Sequence, residues 1–196
     1  MRYCLTYPMI RTDESRWTQM TDGPEIREVQ GWRGRFFEDF EIGDVYKHPL
    51  GRTITQNDNT WFTLLTMNTN ELHFNVEYGN QAEFGKPLVV SPLTLAIASG
   101  QSVSDLTQNA VANLGWDDIK MTHPVFAGDT IWSESLVTDK KESSSRPHAG
   151  IVSVRTRTLN QHGDEVCSFT RTFMVHRRDS PKLSNPRPAP KKPDWS

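Results

Sequence analysis

Ser91-Pro92-Leu93-Thr94-Leu95-Ala96-Ile97-Ala98-Ser99-Gly100 is the stretch whose reading decides the fold. Serine suits the N-cap of a helix and proline its first position, because the N–H that proline lacks is one a helix start leaves unpaired anyway. Leu93, Ala96, Ile97, Gly100 and Val103 then recur at helical spacing as a narrow face of small apolar residues, the kind that lets a helix lie close against a sheet. A sheet is what the sequence supplies downstream. Residues 130–140, 151–160 and 166–176 alternate with the period of strands, the last two joined by the turn-like Gln161-His162-Gly163-Asp164-Glu165, and 112–120 adds another.

Upstream, residues 45–55 read as a strand bent at Pro49-Leu50-Gly51. Thr55 followed three residues later by Asp58 forms a capping box, so a helix enters at residue 56 with Trp61, Phe62, Leu64 and Leu65 as its apolar side. A second helix is expected over 76–84. One long helix followed by a strongly twisted antiparallel sheet is an α+β pattern in which the sheet wraps around a central helix.

The 196 residues suffice for one domain with a core of its own. Residues 1–34 read as an N-terminal arm, 35–178 as the domain, and 179–196, proline-rich and basic, as a disordered tail. Lys and Arg (22) nearly balance Asp and Glu (24) for a net charge of −2, so no global field draws in nucleic acid or an anionic membrane. Cys4 and Cys167 stand far apart, which implies neither a disulfide framework nor a zinc site and fits a reducing cytoplasm. The opening residues are broken by Pro8 and lack a cleavage site, and no stretch approaches the roughly 18 apolar residues of a spanning helix. No metal or redox cofactor is expected, since no ligand cluster or glycine-rich phosphate loop occurs.

Asn68-Thr69-Asn70-Glu71-Leu72-His73 resembles the hydratase signature Gly-Asp-x-Asn-Pro-x-His of the MaoC-like dehydratases, a family that includes (R)-specific enoyl-CoA hydratases. Asn70 and His73 match; the family's glycine falls on Met67, its catalytic aspartate on Asn68 and its proline on Glu71. Pro87-Leu88-Val89-Val90-Ser91 resembles the lead into the family's central helix, and Pro124-Val125-Phe126-Ala127-Gly128-Asp129 its Pro-Val-x-x-Gly-Asp segment. The resemblance spans residues ~36 to 176 and implies a hot-dog fold. Within the family, the run from Trp61 to Asn68 and Ser145-Arg146-Pro147 resemble members acting on mesaconyl-, methylmalyl- or itaconyl-CoA.

The resemblance implies an acyl-CoA hydro-lyase with His73, Asn68 and Ser99 as its catalytic group, Ser99 supporting the residue at 68. Hydrating an enoyl thioester requires a base for water, a proton for the α-carbon and donors for the enolate oxygen. A neutral imidazole serves the first two needs, but an asparagine cannot take a proton. The carboxylates nearest in sequence are Asp58, read as the third residue of a capped helix, and Glu71. Oxyanion donors are expected at the start of the central helix, from the N–H groups of Ser91 and Leu93. Arg146, then Lys86, are the candidates for CoA phosphates, and Arg52 for a second substrate carboxylate. The family implies pairing of two hot-dog domains, so a homodimer or larger homo-oligomer is expected. Two rivals remain open: a hot-dog thioesterase, and a non-catalytic acyl-CoA-binding or partner subunit, which Asn68 favours.

Overall fold

A computed structural model describes residues 27, 29 and 31–181. Strands β1 (Val45–Lys47) and β2 (Arg52–Thr53) lead into helices α1 (Gln56–Leu65), α2 (Val76–Gln81) and α3 (Ser91–Gln101). The long strands β3 (Ala110–Met121), β4 (Thr130–Glu142), β5 (Ala149–Asn160) and β6 (Glu165–His176) follow. All pairings are antiparallel, in the order β1-β4-β5-β6-β3, with β2 continuing beside β1 on the outer edge of β4.

Alternation along the strands decides what faces the helix. Ile131, Ser133, Ser135 and Val137 of β4 are buried while Trp132 and Leu136 between them are exposed, the period of two that a half-buried strand requires. Around α3 one apolar cluster gathers Ile54, Val90, Leu93, Ala98, Val125 and Phe169, and a second holds Phe37, Phe40, Leu106, Val152 and Phe173. Arg171 sits on β6 between Phe169 and Phe173. Its Nε donates to Asn113 Oδ1 at 2.7 Å and Nη1 to Ser102 Oγ at 3.4 Å, which brings a cation to the C-terminal end of α3, where the helix dipole favours it.

The antiparallel sheet curling round one central helix is the architecture expected, and the four long strands each extend by one to two residues at their ends. The connection after Pro124 also follows its sequence. Gly128, at φ 100, donates its N–H to Ile54 O, and Asp129 Oδ2 accepts from Phe126 N, so the chain reverses into β4.

Five expectations need correction. The strand over 45–55 is two short strands parted at Pro49-Leu50-Gly51, and the second helix stops at Gln81. Helix α3 takes Val90 as its N-cap, so Ser91 is its first residue and gives no side-chain cap. The buried face of α3 is Leu93, Thr94 and Ala98, while Ala96, Gly100 and Val103 face outward. Finally, α1 buries Asn59 and Thr63 and exposes Trp61, Leu64 and Leu65. Of the tail placed at 179–196, Ser180 is buried and hydrogen-bonded to His176 Nδ1 at 3.0 Å; residues 182–196 and most of the arm at 1–34 lie outside the described residues.

Candidate active site

The loop from Thr66 to Asn75 is held by asparagines. Helix α1 ends in a Schellman motif: Met67 N–H donates to Leu64 O and Asn68 N–H to Thr63 O, both at 3.0 Å. That motif places Met67 at φ 58, the left-handed region a glycine enters without cost, and Met67 stands where the family signature has its glycine. Asn68 Oδ1 then accepts from Asn70 N at 2.9 Å, Asn70 Oδ1 from Leu72 N at 3.1 Å, and Asn75 Oδ1 from Tyr78 N at 3.2 Å.

This ladder delivers His73 to the interior at 8 % exposure. Its Nδ1 lies 2.8 Å from Leu88 O, a pure acceptor, so Nδ1 carries a hydrogen and the lone pair of the neutral ring falls on Nε2. Asn59, fully buried on α1, stabilises the arrangement from behind. Its Nδ2 donates to His73 O (2.7 Å) and Leu88 O (3.0 Å), while its Oδ1 accepts from Val90 N (2.9 Å) at the cap of α3. Gln56 Nε2 adds a second donor to His73 O at 2.9 Å. One amide thereby ties together the histidine, the carbonyl that sets its tautomer and the start of the central helix.

Leu88 also lines a cleft of about 240 Å³, with Ser91, Thr94, Phe84, His123 and Pro124 among its walls. His73 is not itself on this wall. Of the two amides expected at the helix start, Leu93 N–H is spent on Val90 O at 2.9 Å, whereas Ser91 N–H has no partner among the described residues. Lys86 lies near the rim, its Nζ 3.9 Å above the ring of Phe126, which in turn meets Phe84 edge-on.

The remaining candidates are dispersed. No hydrogen bond joins Ser99 to Asn68 among the described residues; Ser99 O instead accepts from Ser102 Oγ at 2.7 Å. Arg52 is paired with Asp58 at 2.7 Å, which leaves its charge matched within the chain. Asp58 closes the capping box with Thr55, and Glu71 is an exposed residue in a short 3-10 turn. Arg146 sits in the β4–β5 connection, its Nη1 3.7 Å from Met174 Sδ, beside a cavity of about 560 Å³ shared with His148 and His176. Val166 borders the cleft near Leu88 and His176 borders this cavity, so the two lie at opposite ends of β6, about 33 Å apart for ten strand residues. Within one chain, Arg146 and His73 do not meet. The larger cavity is lined by His148 and His176 but not by the start of α3, which borders the smaller cleft through Ser91.

Two features had no sequence reading. His48 is buried with Nδ1 2.8 Å from Asp105 Oδ2 and Nε2 3.0 Å from Ser135 Oγ, and Asp105 is also bonded by Arg35 at 3.0 Å. Asn59 was legible only as a polar residue four positions after Thr55 in a helix; its burial gave no signal. Cys167 is buried and its thiol is pushed up to about 11 by desolvation and then by Glu165, so it stays protonated and unreactive at neutral pH. Among the described residues no group of three metal-ligating side chains occurs, and no helix is long and apolar enough to cross a membrane.

A family model described as mesaconyl-CoA hydratase matches residues 11–188. The chain belongs to that family. The mesaconyl-CoA hydratase of Cereibacter sphaeroides is 36 % identical over 161 residues, which cover 82 % of this chain and 46 % of that protein. The β-methylmalyl-CoA dehydratase of Chloroflexus aurantiacus is 31 % identical over 146 residues, 74 % of this chain and 41 % of the relative. A Mycobacterium tuberculosis structure described as a double hotdog fold superposes with a TM-score of 0.69 at 21 % identity, covering 82 % of this chain and 53 % of that one. The fold of this mesaconyl-CoA hydratase family member is therefore the hot-dog fold, and it is a MaoC-like protein. It spans about half the length of the curated relatives it matches.

Proposed function

We propose that the chain is a hydro-lyase that adds water to, or removes it from, the carbon–carbon double bond of an acyl-CoA thioester, with His73 as its base. The observation that carries this reading is the tautomer of His73. A hydrogen on Nδ1, held by Leu88 O, leaves Nε2 as a lone pair in a buried loop, the state a general base needs. In hydration Nε2 takes a proton from water as its oxygen bonds to the β-carbon. The imidazolium then returns a proton to the α-carbon, so one group serves both transfers. Ser91 N–H and the N-terminal end of α3 face the charge that develops on the thioester oxygen. Lys86, near the rim, takes the role of CoA phosphate ligand within the chain.

A branched dicarboxylic acyl group, as in mesaconyl-CoA or β-methylmalyl-CoA, follows from the relatives' substrates. The reading takes the setting to be cytoplasmic and the assembly to be a pair of hot-dog domains. The exposed Leu114, Trp116, Ile119 and Met121 along the edge strand β3 support such pairing.

A second reading is a partner subunit without turnover of its own. It is favoured by Asn68, whose amide cannot take a proton from a water and whose Oδ1 accepts from Asn70 N. Loss of the enoyl-thioester absorbance on mixing the protein with mesaconyl-CoA or crotonyl-CoA separates the two. We expect hydration by the wild type and a fall of about 10²–10⁴ in His73→Ala. Inactive wild type with active Asn68→Asp would select the partner subunit.

A further inference from the structure

Thr63 is fully buried on α1, and its Oγ1 is the one buried side-chain oxygen or nitrogen among the described residues with no hydrogen-bond partner. Helical threonines have an easy partner in the preceding turn. Thr66 uses it, donating Oγ1 to Phe62 O at 2.9 Å, and Thr63 does not. A buried hydroxyl that forgoes an available bond requires an explanation in water, strain or a ligand.

Its position points to a ligand. Thr63 lies one turn beyond Asn59 on the same inner face, a rise of about 6 Å, and Asn59 is the residue that holds His73 and the start of α3. Thr63 O accepts the N–H of Asn68, so the threonine also underlies the residue at the family's aspartate position. Asn68 Oδ1 accepts from Asn70 N, and its amide cannot take a proton from a water. Hydration needs the attacking oxygen gripped at a second point besides His73 Nε2.

We propose that Thr63 Oγ1 binds the oxygen that is added to or removed from the substrate, and so selects for a hydroxyl at the β-carbon. This rests on the hydro-lyase reading. In hydration Thr63 accepts the second hydrogen of the water while His73 Nε2 takes the first; the oxygen lone pair forms the bond to the β-carbon, and no proton passes through the threonine.

Two substitutions and two ligands test this. In a His73→Ala background, where turnover is removed, calorimetry compares 3-hydroxybutyryl-CoA with butyryl-CoA, which lacks only the hydroxyl. We expect the hydroxyacyl thioester to bind about tenfold tighter, the worth of one good hydrogen bond. Adding Thr63→Val should erase that preference and Thr63→Ser should keep it. With His73 intact, Thr63→Val should lower the hydration rate about tenfold or more, Thr63→Ser should retain it, and the melting temperature of Thr63→Val should hold or rise because an unpaired buried hydroxyl is gone. No preference before substitution, no binding of either thioester, or a preference and rate that survive Thr63→Val would overturn the proposal, the last leaving a structural water as the partner of Oγ1. A wild type that hydrates neither enoyl thioester defeats the hydro-lyase reading alone, since the calorimetric preference still decides Thr63.

Discussion

Helices α1 and α3 bury different kinds of residue. Helix α3 turns Leu93, Thr94 and Ala98 to the sheet and leaves small residues outside, a mostly apolar contact. Helix α1 turns Asn59 and Thr63 inward at 0 % exposure while Trp61 and Leu65 stand 77 % and 81 % exposed. The difference follows from what each helix faces. Behind α3 lies the sheet, whose backbone groups are already paired. Beneath α1 lie a loop and a helix start whose carbonyls and N–H groups need partners, and a buried peptide group without one costs more than an exposed tryptophan does.

The strongest way to break this contrast is Asn59→Leu, which gives α1 the apolar inner face its pattern suggests. If the polar face is required, the variant leaves Val90 N–H unpaired and removes one partner each from His73 O and Leu88 O, at a cost of about 3 kcal/mol in denaturant unfolding. It should also lower hydration activity beyond its effect on stability, because the Leu88 carbonyl that fixes the His73 tautomer is no longer held. Neutral or greater stability in Asn59→Leu would show that α1 could have buried leucine equally well.

The same contrast explains which parts were legible in sequence. Strands β4 and β5 announced themselves because each has one buried face, and a period of two records it directly, whereas β6 is buried along most of both faces. Helix α3 was found by its Ser91-Pro92 start, although its cap is Val90 and its buried side is rotated from the one inferred, since a small-residue stripe looks the same whether it meets a sheet or solvent. His73 was singled out through a motif. The role of Asn59 was not legible, because hydrophobic periodicity is blind to a buried amide that works by hydrogen bonding. The ion pair of Arg52 and the distance of Arg146 from His73 within the chain were not legible for a related reason: a charge in sequence does not say what it already faces.

The helix starts sharpen the comparison at smaller amplitude. Helix α1 is entered through a full capping box: Thr55 N and Oγ1 donate to Asp58 Oδ2 at 2.8 and 2.7 Å, and Arg52 adds an ion pair. Helix α3 has no side-chain cap and relies on Asn59 to engage Val90 N. Asp58→Asn should therefore cost about 1 kcal/mol at neutral pH. The Thr55 backbone N–H above all, then the Thr55 hydroxyl and Arg52, hold the Asp58 carboxyl below its ordinary value. A depressed folded value means that the stabilisation is present above the unfolded pKa of about 3.9 and is lost as pH falls through the lower folded one. The gap in melting temperature between wild type and Asp58→Asn should accordingly narrow from pH 5 to pH 3; a constant gap would show that the charge at α1's entrance contributes nothing.

The helix ends give the smallest effect and the one with a reversal of sign. Helix α1 closes on Met67 at φ 58, whereas α3 passes through Ser102 at φ −79 into a π-helical turn over Val103–Thr107. A left-handed methionine costs about 1–2 kcal/mol that glycine avoids, offset in part by the freer unfolded chain that glycine allows. Met67→Gly should raise the melting temperature by roughly 2–4 °C, for a net gain of up to about 1 kcal/mol. Ser102→Gly should lower it, because the backbone there needs no glycine and the hydroxyl that bonds Ser99 O and receives Arg171 is lost. Were both changes to move stability in the same direction, chain termination at these two helices would be governed by flexibility alone, and the Schellman geometry that sets Asn68 and His73 in place would carry no strain worth relieving.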